Sequence, residues 1–259
     1  MSYLTKTYEK IEKRCKRLFE NKVVLVTGGA TGIGSATCKK LSSLGANVVV
    51  NYSKSYLEAQ DTFKQLTNSG LLYQADIRHE HQVKEMISAC IQRFGRLDYL
   101  VNNAGITHQL AMDDFDGATE EIWNKLWDVN VKGTFYCIKA AVPHLKKGDD
   151  SAIVNVGSIA GITGLGSSVP YAVTKSAVHG LTKSLAYSLA PDIRINSIAP
   201  GAVDTRWWEG NEEKMKALAG NIQLKRISTP EDIAETICYT LLQKSLTGQI
   251  ITVDNGQTM

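Results

Sequence analysis

Seven short runs rich in β-branched residues recur along the chain, separated by longer segments with helical spacing. The runs cover residues 23–26, 48–50, 71–75, 97–101, 153–156, 193–198 and 249–253. Strands that alternate with crossover helices form a mostly parallel sheet with helices on both faces. Runs such as VVLV and NVVV are continuously apolar, as strands covered on both faces should be. The pattern predicts an α/β protein with a doubly wound parallel sheet.

Composition favours one globular domain and excludes several classes of partner. With 259 residues, 43% hydrophobic and 21% charged, the chain can bury a sizeable core as a single unit. The net charge of +3 is small and the basic residues are dispersed, so we expect no nucleic acid partner. The chain lacks an apolar run of about 18 residues and the apolar core of a signal peptide, so neither membrane insertion nor export is expected.

The cysteines suggest neither disulfides nor a metal site. Their number is odd and none forms a CxxC pair, which favours a reducing, cytoplasmic location and no bound metal. The five are Cys15, Cys38, Cys90, Cys137 and Cys238.

Residues 1–21 form a predicted extension before the domain of residues 22–259. Basic residues surround apolar ones at helical spacing there, which indicates a basic amphipathic helix. Contact with a membrane surface or a targeting role is weakened by Glu9, Glu12 and Glu20, so packing on its own domain is favoured.

A long segment follows the sixth predicted strand. Pro200, Gly201 and residues 202–220 precede a helix that Thr229 and Pro230 are predicted to start. Ligands bind at the carboxyl edge of open parallel sheets, so this segment is a candidate substrate lid. Trp207 and Trp208 are its candidate substrate contacts, and the alternative is that they pack the lid in place.

A glycine-rich turn follows the first predicted strand. Residues 27–34 read TGGATGIG, and a helical stretch begins at Ser35. Glycines allow positive φ and close approach to a pyrophosphate, and a helix N-terminus offers unpaired N–H groups and partial positive charge. The strand, turn and helix context predicts a dinucleotide site.

The end of the second strand bears on which dinucleotide binds. An acidic residue there often binds the adenine ribose, but this chain has Asn51, followed by Ser53 and Lys54. No carboxylate repels a 2′-phosphate, and a hydroxyl and an ammonium can donate to one. NADP is therefore favoured over NAD, which stays the alternative.

Four polar residues form the predicted proton-transfer site. Tyr171 and Lys175 lie at i and i+4, on one face of a helix. A tyrosine has a pKa of about 10 in water, so it needs a nearby cation to exchange protons near neutral pH. Ser158, after the fifth strand, can polarise a carbonyl oxygen beside Tyr171, and Asn130 lies in the preceding helical stretch. Either of these two could instead satisfy local backbone groups.

Taken together, TGGATGIG, the NNAG sequence at 102–105, Asn130, Ser158, Tyr171 with Lys175, and Pro200-Gly201 resemble the classical short-chain dehydrogenase/reductase family. The match runs from about residue 22 to 256 and implies a Rossmann-type fold of about seven strands. The motifs NYSKS, FGRLDYLVNNAGIT and TGQIITVDNG make the chain most similar to 3-oxoacyl-carrier-protein reductases and related keto reductases.

The resemblance implies a role for each site residue. Tyr171 would be the proton donor in reduction, Lys175 would lower its pKa and bind the nicotinamide ribose, Ser158 would orient the substrate oxygen, and Asn130 would hold a water in the proton relay. Residues implied to contact the cofactor are Gly28, Thr31, Gly32, Ile33 and Gly34 at the pyrophosphate; Asn51, Ser53 and Lys54 at the adenosine ribose; Asp76 and Ile77 at the adenine; Asn103, Ala104 and Gly105 as its support; and Pro200, Gly201, Val203 and Thr205 at the nicotinamide.

The predicted activity is hydride transfer between NAD(P) and a carbonyl or secondary alcohol, with a keto reductase of 3-oxoacyl type favoured. A sugar or polyol dehydrogenase on the same fold and a non-catalytic cofactor-binding regulator are the alternatives. Thr31 stands where many NADP-using members carry arginine, which leaves NAD open. The resemblance also implies a homo-oligomer, a tetramer or a dimer.

Overall fold

One seven-stranded sheet organises the protein in the computed structural model, which describes residues 18–210 and 212–259. Every paired strand is parallel to its neighbour, in the order β3-β2-β1-β4-β5-β6-β7. The doubly wound fold and all seven predicted strands are confirmed. The strands are β1 (Val23–Thr27), β2 (Asn47–Tyr52), β3 (Gly70–Gln74), β4 (Tyr99–Asn102), β5 (Ser151–Val156), β6 (Ile193–Pro200) and β7 (Ile250–Val253).

Helices cover both faces of the sheet. Alternate residues of β1 show the two-sided burial, because Val23 and Leu25 join one apolar cluster and Val24 and Val26 join another. This is why the strand is apolar at every position. The helices are α1 (Gly32–Ser43), α2 (Tyr56–Lys64), α3 (Glu80–Phe94), α4 (Glu120–Trp127), α5 (Thr134–Leu145), α6 (Ala160–Thr163), α7 (Val169–Leu189), α8 (Glu212–Asn221) and α9 (Pro230–Leu242).

The strand order reverses between β1 and β4. From β1 the chain first builds outwards through β2 to β3, then returns to place β4 on the other side of β1. The loops that leave the carboxyl ends of β1 and β4 therefore diverge and leave a crevice between them. Open α/β sheets bind ligands at such a switch point.

The predicted lid lies between β6 and α9. A parallel bridge between Val203 and Ser228 joins its two ends, and the segment between them contains a 3-10 turn (Arg206–Trp208) and α8. The helix start predicted at Thr229 is confirmed. The Thr229 side chain accepts from the Asp232 backbone N–H while the Asp232 side chain accepts from that of Thr229, which is a capping box.

The core extends to Phe19, before the first strand. Phe19 is fully buried, and its ring packs edge to face against Tyr99 with centroids 5.6 Å apart. Residues 1–17 of the predicted N-terminal helix lie outside the described residues, so the boundary at residue 22 stays a prediction.

The described residues contain neither a candidate membrane span nor a candidate metal cluster. No helix among them is long and apolar enough to cross a membrane. They hold no cluster of three or more His, Cys, Asp or Glu side chains that could bind a metal ion. Cys38, Cys90, Cys137 and Cys238 are buried free thiols.

Candidate active site

The glycine turn between β1 and α1 brings backbone atoms into close contact. Gly28 and Gly32 have φ of +62° and +53°, in the left-handed region. A Cβ on Gly34 would lie 2.2 Å from the carbonyl oxygen of Gly28. Thr31 is the N-cap of α1, and its side chain makes no capping hydrogen bond. The helix N-terminus therefore faces the crevice with N–H groups that can bind a phosphate.

Asn103 and Thr27 hold this turn from the β4 side. The Asn103 amide donates to the carbonyl oxygens of Thr27 at 3.0 Å and Gly28 at 2.9 Å. The Thr27 hydroxyl accepts from the backbone N–H groups of Asn103 and Ala104, both at 3.1 Å. The NNAG loop thus fixes the shape of the glycine turn.

Asn51 is a buried link between three segments. Its Oδ1 accepts from the Gly28 N–H at 3.2 Å, and its Nδ2 donates to the carbonyl oxygens of Ala75 at 3.0 Å and Tyr52 at 3.3 Å. Its amide is therefore occupied by backbone groups, although the residue lines the crevice together with Ser53 and Lys54.

Asp76 is paired with an arginine that the sequence analysis did not select. The Arg78 guanidinium donates to both carboxylate oxygens of Asp76, with Nη2 at 2.6 Å from Oδ2 and Nε at 3.1 Å from Oδ1. This pairing lowers the pKa of Asp76. Ile77 is buried, and all three residues line the crevice.

Tyr171 and Lys175 lie one turn apart near the start of α7. Ser168 is the N-cap, and its hydroxyl accepts from the Tyr171 N–H at 3.3 Å. Both side chains are 5% exposed. The Lys175 Nζ donates to the Val156 carbonyl oxygen at 2.8 Å and lies 5.8 Å from the centroid of the Tyr171 ring.

Burial dominates the acid–base properties of this pair. It raises the pKa of Tyr171 to about 12, against the lowering effect of a hydrogen bond with Ser158. It also lowers the pKa of Lys175 to about 8, because a charged ammonium loses its hydration there. The expected lowering of the Tyr171 pKa by Lys175 stays a prediction.

Ser158 and Asn130 approach the pair from two directions. Ser158 follows β5, and its hydroxyl accepts from the Ala160 N–H at 3.1 Å in addition to contacting Tyr171. Asn130 is buried in a π-helical segment (Asp128–Gly133) between α4 and α5. Such segments are rare and often occur at functional sites.

The Asn130 amide connects the loop after β4 to α7. Its Oδ1 accepts from the Ile106 N–H at 2.9 Å, and its Nδ2 donates to the Ile106 carbonyl and to the Thr174 hydroxyl, both at 3.0 Å. The two contacts with Ile106 agree with the alternative that Asn130 satisfies local backbone groups. Its role in holding a water stays a prediction.

The two tryptophans of the lid make different contacts. The Trp207 ring lies edge-on to Tyr171, with centroids 5.7 Å apart and planes at 74°. The Trp208 indole N–H instead donates to the Val203 carbonyl at 3.1 Å. Trp207 thus faces Tyr171, whereas Trp208 bonds to backbone within the lid segment itself.

These groups line one crevice of about 830 Å³. This volume lies within the usual range for small-molecule sites. Of the predicted site residues, Gly34 and Asn130 do not line the crevice. Gly34 packs against the Gly28 carbonyl, and Asn130 bonds to Ile106 and Thr174. Lining residues that the sequence analysis missed include Arg78, Gln109, Lys125, Leu165 and Arg206.

Two of the lining residues that were not predicted, Arg78 and Arg206, have a sequence signal. Arg78 lies two positions after Asp76, and Arg206 lies directly before Trp207, so both are close in sequence to predicted site residues. Gln109, Lys125 and Leu165 stand in segments without a motif, and only the folded chain brings them to the crevice.

Comparison with known proteins agrees with this geometry. A family model described as Enoyl-(Acyl carrier protein) reductase matches residues 28–258. The short-chain dehydrogenase/reductase homolog YusR of Bacillus subtilis is 64% identical over 129 residues, which are 50% of this chain and 100% of that protein. The 3-oxoacyl-[acyl-carrier-protein] reductase FabG of Thermotoga maritima is 37% identical, covering 92% of this chain and 98% of that protein.

A solved structure extends the likeness to three dimensions. A short chain dehydrogenase from Burkholderia cenocepacia in complex with NADP has a TM-score of 0.84 and 30% identity, covering 93% of this chain and 99% of that one. The chain belongs to the classical short-chain dehydrogenase/reductase family of oxidoreductases, and within that family it resembles the 3-oxoacyl-[acyl-carrier-protein] reductases.

Proposed function

We propose that this chain is an NADP-dependent reductase that converts the keto group of a 3-oxoacyl thioester to a secondary alcohol. The observation that carries the proposal is the convergence of Tyr171, Ser158 and Lys175 with the glycine turn in one crevice. A proton donor and a phosphate-binding backbone are the two parts that hydride transfer to a carbonyl requires from the protein.

The crevice fits a dinucleotide at its glycine end. Gly34 lies against the Gly28 carbonyl, where a Cβ would lie at 2.2 Å, and the N-terminus of α1 is open beside it. The turn can therefore approach a pyrophosphate through backbone N–H groups. When bound, the nicotinamide supplies the hydride.

The side chains of Tyr171, Ser158 and Lys175 provide the proton transfer. Tyr171 donates its phenolic proton to the substrate oxygen as negative charge develops there, and Ser158 donates a hydrogen bond to the same oxygen. Lys175, with a pKa of about 8, stays mostly protonated at neutral pH and stabilises the tyrosinate that remains. In the reverse direction Tyr171 accepts the proton from the alcohol.

Three observations favour NADP over NAD. The end of β2 carries no carboxylate, because Asn51 stands there. Ser53 and Lys54 are exposed at the crevice and can donate to a 2′-phosphate. The similar Burkholderia cenocepacia structure contains NADP.

An apolar wall beside Tyr171 favours an acyl substrate. Leu165 is 69% exposed and Trp207 is 43% exposed, and both line the crevice. Trp207 packs against Tyr171, and Leu165 precedes Gly166, where a Cβ would lie 3.3 Å from the Tyr171 ring. An acyl chain that covers these apolar side chains removes their surface from water, which stabilises the complex. A sugar ring could stack on Trp207, but a sugar or polyol has less apolar surface than an acyl chain to bury against Leu165. The named similarity to a 3-oxoacyl-carrier-protein reductase agrees with this choice.

The proton-donor assignment is tested by Tyr171→Phe. We expect kcat for NADPH-dependent reduction of a 3-oxoacyl thioester to fall by about 10²–10⁴-fold, because the substrate oxygen loses its acid. The dissociation constant of NADPH, measured by fluorescence titration, should stay unchanged. Tyr187→Phe on the same helix is the control, because Tyr187 is 90% exposed.

Two results would contradict the proposal. Full reductase activity in Tyr171→Phe would remove the tyrosine as proton donor. Turnover of sugars or polyols with no turnover of 3-oxoacyl thioesters would overturn the substrate class while leaving the proton donor in place.

A further inference from the structure

The 3-10 turn at the start of the lid contacts both halves of the crevice through consecutive residues. The Arg206 Nη1 donates to the Ser55 hydroxyl at 3.4 Å, in the loop that follows β2. The next residue, Trp207, lies edge-on to Tyr171 at 5.7 Å between ring centroids. One turn therefore connects the adenosine end of the crevice to the reactive tyrosine.

Local contacts hold this turn above the glycine turn. The Thr205 hydroxyl accepts from the Trp207 N–H at 3.4 Å, and Trp208 donates to the Val203 carbonyl at 3.1 Å. A Cβ on Gly32 would lie 3.2 Å from the Thr205 methyl carbon. Arg206 thus leaves a fixed base directly over the phosphate-binding loop and extends towards Ser55.

The charges at the adenosine end are not equivalent. The Arg78 guanidinium is held by both carboxylate oxygens of Asp76. The hydrogen bond from Arg206 to this end is instead made to a neutral hydroxyl at a long distance. A guanidinium on a neutral partner can turn to a dianionic phosphate at little cost, and its planar fork suits a phosphate. Lys54, next to Ser55, adds a second exposed cation.

We propose, building on the proposed function, that Arg206 is a cofactor-binding residue that recognises the 2′-phosphate of NADP together with Lys54 and Ser55. Its engagement holds the lid, and with it Trp207, against the reactive half of the crevice. The chain would then compensate for the absence of an arginine at Thr31 with one supplied by the lid. Cofactor choice and lid position become linked through a single turn.

Arg206→Gln tests the recognition step. We expect the dissociation constant of NADPH to rise about tenfold or more, while that of NADH stays unchanged, since only NADPH carries the 2′-phosphate. Tryptophan fluorescence titration or calorimetry measures both constants without turnover. Arg93→Gln is the matched control, because the Arg93 Nη2 also donates to a serine hydroxyl at 3.4 Å, that of Ser69, away from the crevice.

Hydrogen–deuterium exchange tests the link to the lid. In the wild type, NADPH should slow backbone exchange over residues 203–210 more than NADH does at equal saturation. In Arg206→Gln the two cofactors should protect this segment equally. Thermal unfolding of each variant without cofactor checks that the fold is retained.

Several outcomes would overturn the inference. An equal loss of affinity for both cofactors would assign Arg206 to the pyrophosphate, and unchanged affinities would remove it from the site. Equal protection of the lid by both cofactors in the wild type would break the link. These readouts need no turnover, so an error in the Tyr171 assignment would leave them unaffected.

Discussion

Asn51 is a predicted cofactor contact, and its side chain forms hydrogen bonds with the backbone of the fold. Its Nδ2 donates to backbone carbonyls of Tyr52 and Ala75, and its Oδ1 accepts from the Gly28 N–H. An aspartate has the same shape but only accepts hydrogen bonds. The backbone N–H of the glycine turn and the carbonyl groups of Tyr52 and Ala75 thus require an amide, with both a donor and an acceptor, at position 51.

Asn51→Asp is therefore expected to destabilise the protein rather than simply switch it to NAD. The new buried carboxylate would face carbonyl oxygens, and the loss of buried hydrogen bonds costs about 1–3 kcal/mol in free energy of unfolding. Urea denaturation followed by circular dichroism measures the change.

Asn68→Asp is the control for this substitution. Asn68 also donates from Nδ2 to a carbonyl, that of Gly45 at 2.6 Å, but it is exposed, so its loss should be small. Equal unfolding free energies for Asn51→Asp and the wild type would show that the amide donors of Asn51 contribute nothing to stability.

The sequence predicts some of these residue roles and not others. Tyr171 and Lys175 follow from helical spacing, because i and i+4 share a face. Two partners of Asn51, Gly28 and Ala75, lie on the glycine turn and after β3, and Arg206 is 151 positions from Ser55. No local pattern records contacts of such long range.

At the scale of the helix, α7 carries a third buried ionisable group, His179, one turn beyond Lys175. His179 is 6% exposed, and its Nε2 finds no hydrogen-bond partner among the described residues. A Cβ on Gly157 would lie 2.2 Å from this nitrogen, and Ser197 lies beside the same glycine. Burial lowers the pKa of His179 to about 4, with further lowering from the charges of Lys175 and Lys183.

This histidine should make α7 sensitive to acid. The unfolded histidine, with a pKa of 6.5, gains a proton over a range in which the folded one stays neutral. The unfolded state then binds more protons, so the free energy of unfolding falls as the pH drops from about 6.5 to 4. The loss should be on the order of 2 kcal/mol.

Comparing His179→Gln with the wild type isolates this contribution. Between pH 7 and pH 4.5, the free energy of unfolding should fall by less in the variant than in the wild type. His108→Gln, in the exposed loop after β4, should follow the wild type at both values. A difference in unfolding free energy between His179→Gln and the wild type that is independent of pH would contradict the prediction.

Elements with a clear hydrophobic period were predictable, and irregular ones were not. The seven strands and the start of α9 follow from continuous apolar runs and capping residues. The π-helical segment Asp128–Gly133 has no period that distinguishes it from the α-helices around it. Within the lid, α8 reads EEKMKALAGN, which is rich in helix-forming residues but carries few large apolar ones, so it lacks the apolar stripe that identifies an amphipathic helix.

At the scale of the whole molecule, the predicted homo-oligomer has two candidate contact surfaces. β7 forms one edge of the sheet, and its backbone is paired on one side by β6. Trp127 and Phe135, on the helical stretch that contains Asn130, are 38% and 40% exposed. Exposed apolar side chains on regular elements are typical of subunit interfaces.

The expected homo-oligomer can be measured directly. Size-exclusion chromatography with light scattering should give two or four times the chain mass of 28.4 kDa. Phe135→Asp should shift the population towards a smaller species, because it places a charge on the exposed face of α5. Phe115→Asp is the control, since Phe115 is 78% exposed in a loop. A wild-type protein that elutes as a monomer at micromolar concentration would refute the prediction.

The bridge between Val203 and Ser228 allows the lid to vary in length and sequence independently of the sheet. Val203 and Ser228 are paired with each other, so the lid residues between them begin and end at nearly the same point of the fold. Insertions, deletions or wholesale exchange of that segment can therefore occur without displacing the strands that hold the glycine turn or α7. The segment can therefore be exchanged to evolve or engineer new substrate specificities, provided that the cofactor contact proposed for Arg206 is kept.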